Sequence, residues 1–127
     1  MLINTPISLG ELVDKISILI VKKKNIKNKD KLDQVNKELK YLQQTLDNHV
    51  LKDEIAVFLN NLIDINSKLW VIEDDIRDYE KKKQFDQKFI ELARSVYFTN
   101  DKRANIKLDI NNKFGSELVE VKSYEEY

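Results

Sequence analysis

Residues 53–81 read DEIAVFLNNLIDINSKLWVIEDDIRDYEK, with apolar side chains at Ile55, Phe58, Leu59, Leu62, Ile65, Leu69, Ile72, Ile76 and Tyr79. Steps of three and four residues are the period of a helix with one buried stripe, because 100° per residue returns such positions to one face. Strands would need turn residues between them at short intervals. The chain has two glycines and one proline, at Gly10, Gly115 and Pro6, so nothing breaks a helix from Glu11 to Phe114. This predicts an all-α chain.

Outward from that segment, the other helices take shape. Ser8-Leu9-Gly10-Glu11 fits a capping box, in which the Ser hydroxyl and the Glu carboxylate satisfy free N–H groups of a first turn. Leu9, Leu12, Val13, Ile16, Leu19, Ile20 and Ile26 then form the buried stripe of a first helix ending near Ile26 to Asn28. Leu32, Val35, Leu39, Leu42 and Leu46 repeat at a/d spacing over two heptads, giving a second helix that ends near Asn48. Residues 81–84 read as a turn. A last helix starts near Asp86, carries Phe89, Leu92, Val96, Ile106, Ile110 and Phe114 on one face, and meets Gly115 as a left-handed cap. The expected architecture is one domain: an antiparallel helical bundle of two hairpins, 8–48 and 53–114, with a short extended tail at 115–127.

A chain of 127 residues with 42% hydrophobic and 35% charged residues is large enough for one core and reads as a soluble folded domain. The absence of cysteine removes disulfides, thiolate metal sites and a cysteine nucleophile. The single histidine, His49, excludes a histidine cluster and reads as a cap at the end of the second helix. Any metal would be hard and carboxylate-bound. Apolar runs are short, Ile16–Val21 being interrupted by Ser17, which predicts no membrane span, no secretory signal and a cytoplasmic address. Net charge alternates along the chain: +4 for residues 1–52, −6 for 53–80, +5 for 81–114 and −3 for the tail. Neighbouring helices of opposite charge favour the intended pairing and penalise wrong ones.

Of 22 basic residues only Arg77, Arg94 and Arg103 are arginine, the residue that supplies a planar, forked donor. Either each makes a helix-surface or interhelical ion pair, or at least one of them binds an anion. On a helical wheel Glu73 shares the angle of Ile55, and Asn66 lies beside it, on the face expected to be buried. Arg103 sits seven residues after Val96 and seven before Ile110, with Asn100 one turn earlier, so both interrupt an apolar stripe. Buried polar groups need partners. The expectation is therefore a Glu73–Arg103 pair completed by Asn100 or Asn66, acting as a register-fixing contact or as the floor of a polar pocket. Asp74 and Asp78 stand one turn apart, and Asp75 with Asp78 matches half of the magnesium motif of all-α nucleotide pyrophosphohydrolases. The matching acidic pair on the next helix is missing, so Asp74, Asp75 and Asp78 are also readable as a solvated acidic face.

Several segments together resemble an uncharacterised family of short all-helical bacterial and marine-phage proteins, a domain of unknown function. They are Leu9–Ile16, Leu69–Arg77, Phe85-Asp86, Phe89–Tyr97, Thr99–Asp101, Arg103-Ala104, Ile106-Lys107, Ile110-Asn111, Gly115-Ser116, Leu118–Glu120 and Lys122–Tyr124. The resemblance implies no reaction. It directs attention to polar positions that packing does not require: Glu11, Asp14, Lys15, Arg94, Tyr97, Asn100, Asp101, Lys107, Lys122 and Tyr124. A tail docked through Leu118, Val119, Val121 and Tyr124 would either cover an apolar groove or close a pocket suited to an anionic ligand.

No catalytic residue is identifiable. The first functional expectation is a non-catalytic, homodimeric helical binding or assembly module without cofactor. The alternative is a small-molecule binder, or a magnesium-dependent enzyme, acting on an anionic or phosphorylated ligand held by Glu73, Arg77, Arg94, Tyr97, Asn100, Arg103 and Lys107. A third reading, nucleic-acid binding, has the lysines of 22–31 and 81–83 in its favour and zero net charge against it.

Overall fold

Four helices form at the places the apolar period and the caps dictate: α1 (Leu9–Asn25), α2 (Lys29–Asp47), α3 (Lys52–Lys81) and α4 (Gln87–Phe114). The computed structural model describes all 127 residues, and it contains no strand. Ser8, Asn28 and Asp86 each accept a backbone N–H three residues on, capping α1, α2 and α4. Gly115 closes α4 at φ 66°, in the left-handed region where a side chain is strained. Lys83 adopts φ 56° at the end of α3 without that freedom, and the Gln84 and Lys83 amides donate back to the carbonyls of Tyr79 and Glu80. His49 Nδ1 lies 2.7 Å from the Thr45 carbonyl, the expected cap at the end of α2.

The helices pack against each other around α1, which contacts all three others, while α2 packs on α1. Two α1 faces are therefore buried. One is the apolar stripe of Leu12, Val13, Ile16 and Leu19; the other is Gly10, Asp14, Ser17 and Val21, at steps of four, three and four. The core joins Leu12, Val13 and Ile16 to Leu46, Ile55, Leu62 and Ile110, with Phe58 and Phe114 edge-to-face beside it. Burying such aliphatic side chains contributes roughly 1.5–3 kcal/mol each.

Helix length sets the shape. At 1.5 Å per residue α1 is about 25 Å long, α3 about 45 Å and α4 about 42 Å. The α3/α4 hairpin outruns its cover: between Leu69 and Lys107 no residue is buried. The outer part of that stretch, residues 72–98, is a two-helix arm, with Ile72, Ile76, Tyr79, Phe89, Leu92 and Val96 half-buried between its helices.

By length and composition α3 is one helix long and apolar enough to cross a membrane. Within this helix Asn60, Asn61, Asp64, Asn66 and Lys68 are polar, and Asn66 is bonded to α1.

Candidate functional site

The second α1 face meets α4 through charge. Asp14, fully buried, accepts from Arg103 Nε at 2.9 Å and from Arg103 Nη2, a forked pair across 89 residues of chain. From α3, Asn66 Nδ2 donates to Asp14 Oδ1 at 3.0 Å and to Ser17 Oγ at 2.7 Å. One turn along α4, buried Lys107 donates from Nζ to Glu11 Oε2 at 2.8 Å and lies 3.9 Å from Asp14. No buried side-chain nitrogen or oxygen is left without a partner. Asp14 holds the Arg103 guanidinium above its ordinary pKa. Lys107 is also raised: burial pulls it down, and the bonds to Glu11 and Glu120 outweigh that.

Close approach makes this possible. A Cβ on Gly10 would lie 2.4 Å from the Lys107 carbonyl oxygen, so only glycine lets α1 rest on α4 here. Free amides at the start of α1 are then capped from the far end of the chain. Leu9 N–H donates to Ser116 Oγ at 3.1 Å and Gly10 N–H to Asn111 Oδ1 at 2.7 Å. The expected capping box is half realised: Ser8 accepts from Glu11 N–H, while the Glu11 carboxylate turns to Lys107.

The tail crosses this surface. Glu120 accepts from Lys107 at 2.7 Å and from Lys122 at 2.6 Å. Lys107 first, then Lys122, holds its carboxyl down at about 2. Asp101 accepts from the hydroxyls of Tyr124 and Tyr127, and that bond pushes the Tyr127 phenol up to about 12. Tyr127 also stacks edge-on against Tyr97 and Phe98. Between tail and α4 lies a cavity of about 670 Å³, walled by Tyr97, Asn100, Arg103, Lys107 and Tyr124 among others. Leu118, Val119, Val121 and Tyr124 remain exposed, so the tail docks mainly by polar contacts and not through the apolar side chains the sequence suggested.

Of the predicted residues, Tyr97, Asn100, Arg103 and Lys107 come together here. Glu73 does not pair with Arg103. It is half exposed and faces Arg77 at 3.7 Å along its own helix, and with Asn66, Arg77, Asn100 and Arg103 it lines a second cavity of about 530 Å³ between α1 and the α3/α4 hairpin. The wheel gave the correct face, but nothing covers that face so far along α3. Arg77 and Arg94 are exposed, Arg94 lying over the Phe98 ring. Asp78 is bonded to Lys82, which raises the lysine pKa. With Asp74 and Asp75 it forms an exposed acidic face, and no group of three or more acidic or histidine side chains is arranged to hold a metal.

Sequence reasoning missed Asp14 as the partner of Arg103, and with it Ser17 and Asn111. The signal was the Gly10-Asp14-Ser17-Val21 spacing, a seam of small and polar residues on an otherwise apolar helix. Glu120 had no local signal.

The model of the family of unknown function DUF6165 matches residues 3–127, and the chain belongs to that family. No curated protein and no solved structure matches it.

Proposed function

We propose that this family member is a non-catalytic helical binding and assembly module that works as a homodimer, with the α3/α4 arm as its contact surface. The observation that carries this reading is the absence of any buried residue between Leu69 and Lys107 in an arm so rich in apolar side chains. Two helices alone cannot bury their apolar faces, and a second pair completes a four-helix core. Val71, Phe85, Ile90 and Phe98 stand exposed on the arm. Charge favours a second copy: residues 53–80 carry −6 and residues 81–114 carry +5, so an antiparallel arm sets acidic α3 against basic α4 of its partner.

The polar cluster supports the non-catalytic part. Arg103 is matched by Asp14, Lys107 by Glu11 and Glu120, and Lys122 by Glu120, which is the closure expected of groups that specify packing.

Light scattering at micromolar concentration tests the dimer. The expected mass is twice the 15.0 kDa of one chain. A Val71→Glu, Ile90→Glu double variant should return one chain's mass with its helical circular dichroism retained. A wild-type particle of 15.0 kDa overturns the reading.

A further inference from the structure

Lys107 and Lys122 grip the two oxygens of one carboxylate, at 2.7 and 2.6 Å, and that carboxylate belongs to a tail segment otherwise held at its two ends, by Ser116 and by Tyr124 and Tyr127. Glu120 has Val119 and Val121 on either side, both exposed. The two-lysine seat is filled by a partly exposed group.

Beside the seat the 670 Å³ cavity stays open, a size typical of small-molecule sites. Arg103 forms its edge. Three of the five guanidinium N–H groups are used, two on Asp14 and one on Asn100 at 3.5 Å, leaving two for a ligand oxygen. Tyr97, Tyr124 and Tyr127 supply rings along the wall, the hydroxyls of the last two donating to Asp101, and Glu125 is a further carboxylate there besides Glu120. Such a combination recognises a compact oxyanion attached to a ring. We propose that the tail cavity binds a small phosphate monoester with a planar body, its phosphate displacing Glu120 from Lys107 and Lys122 and its ring packing on the tyrosines.

Exchange sets the acceptors of a phosphate against the neighbouring carboxylates of Glu11, Asp14, Asp101 and Glu125. A phosphate offers more acceptor oxygens and about −1.5 to −2 charges where Glu120 offers one. In the free protein Glu120 is a second carboxylate on Lys107, a buried ammonium that Glu11 already holds at 2.8 Å. The site lies on the tail side of α4 and borders the arm, since Tyr127 on its wall packs on Phe98.

Phenyl phosphate is the probe, with inorganic phosphate and phenol as controls, titrated by calorimetry into the wild-type chain and two variants. Glu120→Gln removes the competitor and is expected to bind phenyl phosphate roughly tenfold tighter, the scale of one competing charge-assisted hydrogen bond. Lys122→Gln, on the exposed tail, is expected to bind at least several-fold more weakly at an unchanged melting temperature. That variant avoids the misfolding risk of altering buried Lys107. Phenol should not bind, and inorganic phosphate should bind more weakly than the ester. Three results overturn the proposal: no saturable binding in wild type and Glu120→Gln alike, equal affinity in all three chains, or inorganic phosphate matching phenyl phosphate.

Discussion

The base and the arm of the α3/α4 hairpin have the same kind of sequence and opposite surroundings. Asn66 and Glu73 lie within about 20° of each other on α3, given 100° per residue. Asn66 is buried and bonded to both Asp14 and Ser17, whereas Glu73 is half exposed and paired only within its helix. Arg103 and Arg94 show the same contrast on α4. A polar residue in an apolar stripe becomes a structural anchor where a third helix covers it and a surface group where none does. The period states which way a residue faces; the third helix determines what it meets.

The largest effect should come from Arg103→Met. It leaves Asp14, fully buried, without its main partner, and breaking such a pair costs about 3–5 kcal/mol. Chemical denaturation measures the loss, and a change under 1 kcal/mol would erase the distinction between base and arm.

Next is a matched pair of truncations. Leu62→Ala, at a fully buried base position, should cost about 2–5 kcal/mol. Ile76→Ala, half-buried on the arm, should cost markedly less in dilute protein and approach the base value as dimer forms. If the two cost the same at every concentration, the arm is as closely packed as the base.

Smaller still is Glu73→Gln, expected within about ±0.5 kcal/mol because its pair with Arg77 is exposed. A double-mutant cycle of Glu73→Gln with Arg103→Lys should show no coupling, whereas Asp14→Asn with Arg103→Lys should couple by about 0.5–3 kcal/mol.

The smallest effect concerns pH at the tail. Glu120 has its carboxyl lowered to about 2 from 4.5, so its docking contribution is complete above 4.5 and fades as pH falls toward 2. Tyr127 works in the other direction. Its phenol is raised to about 12 from 10.0, so that contact is present below 10 and is lost as pH rises through 12. Phenolate absorbance should show one of the five tyrosines titrating late, and Tyr127→Phe should remove that phase.

Much of the fold was legible because helix boundaries are local. Ser8, Asn28, Asp86 and Gly115 act within a turn of themselves, and the apolar period of residues 53–81 needs no partner to be read. The site was legible only in part. Arg103 and Asn100 were visible as interruptions of a stripe, but their partner lies 89 residues away from Arg103 on a helix whose second buried face is made of Gly10, Asp14 and Ser17. Small and polar residues leave no hydrophobic mark, so a pattern search passes over them. Glu120 sits in an extended segment with no period, and only the fold brings it to Lys107.

The caps that Ser116 and Asn111 place on the first turn of α1 have a consequence for synthesis. The helix at the centre of the molecule is made first, yet its amides at Leu9 and Gly10 and its carboxylate at Asp14 find their partners among residues 103–116. While the chain is still emerging from the ribosome, α1 and α2 can associate and Asn66 of α3 can reach Asp14, but the Arg103 pair and the caps on α1 wait for α4. The seam around the start of α1 is therefore completed only once residues 103–116 have been made.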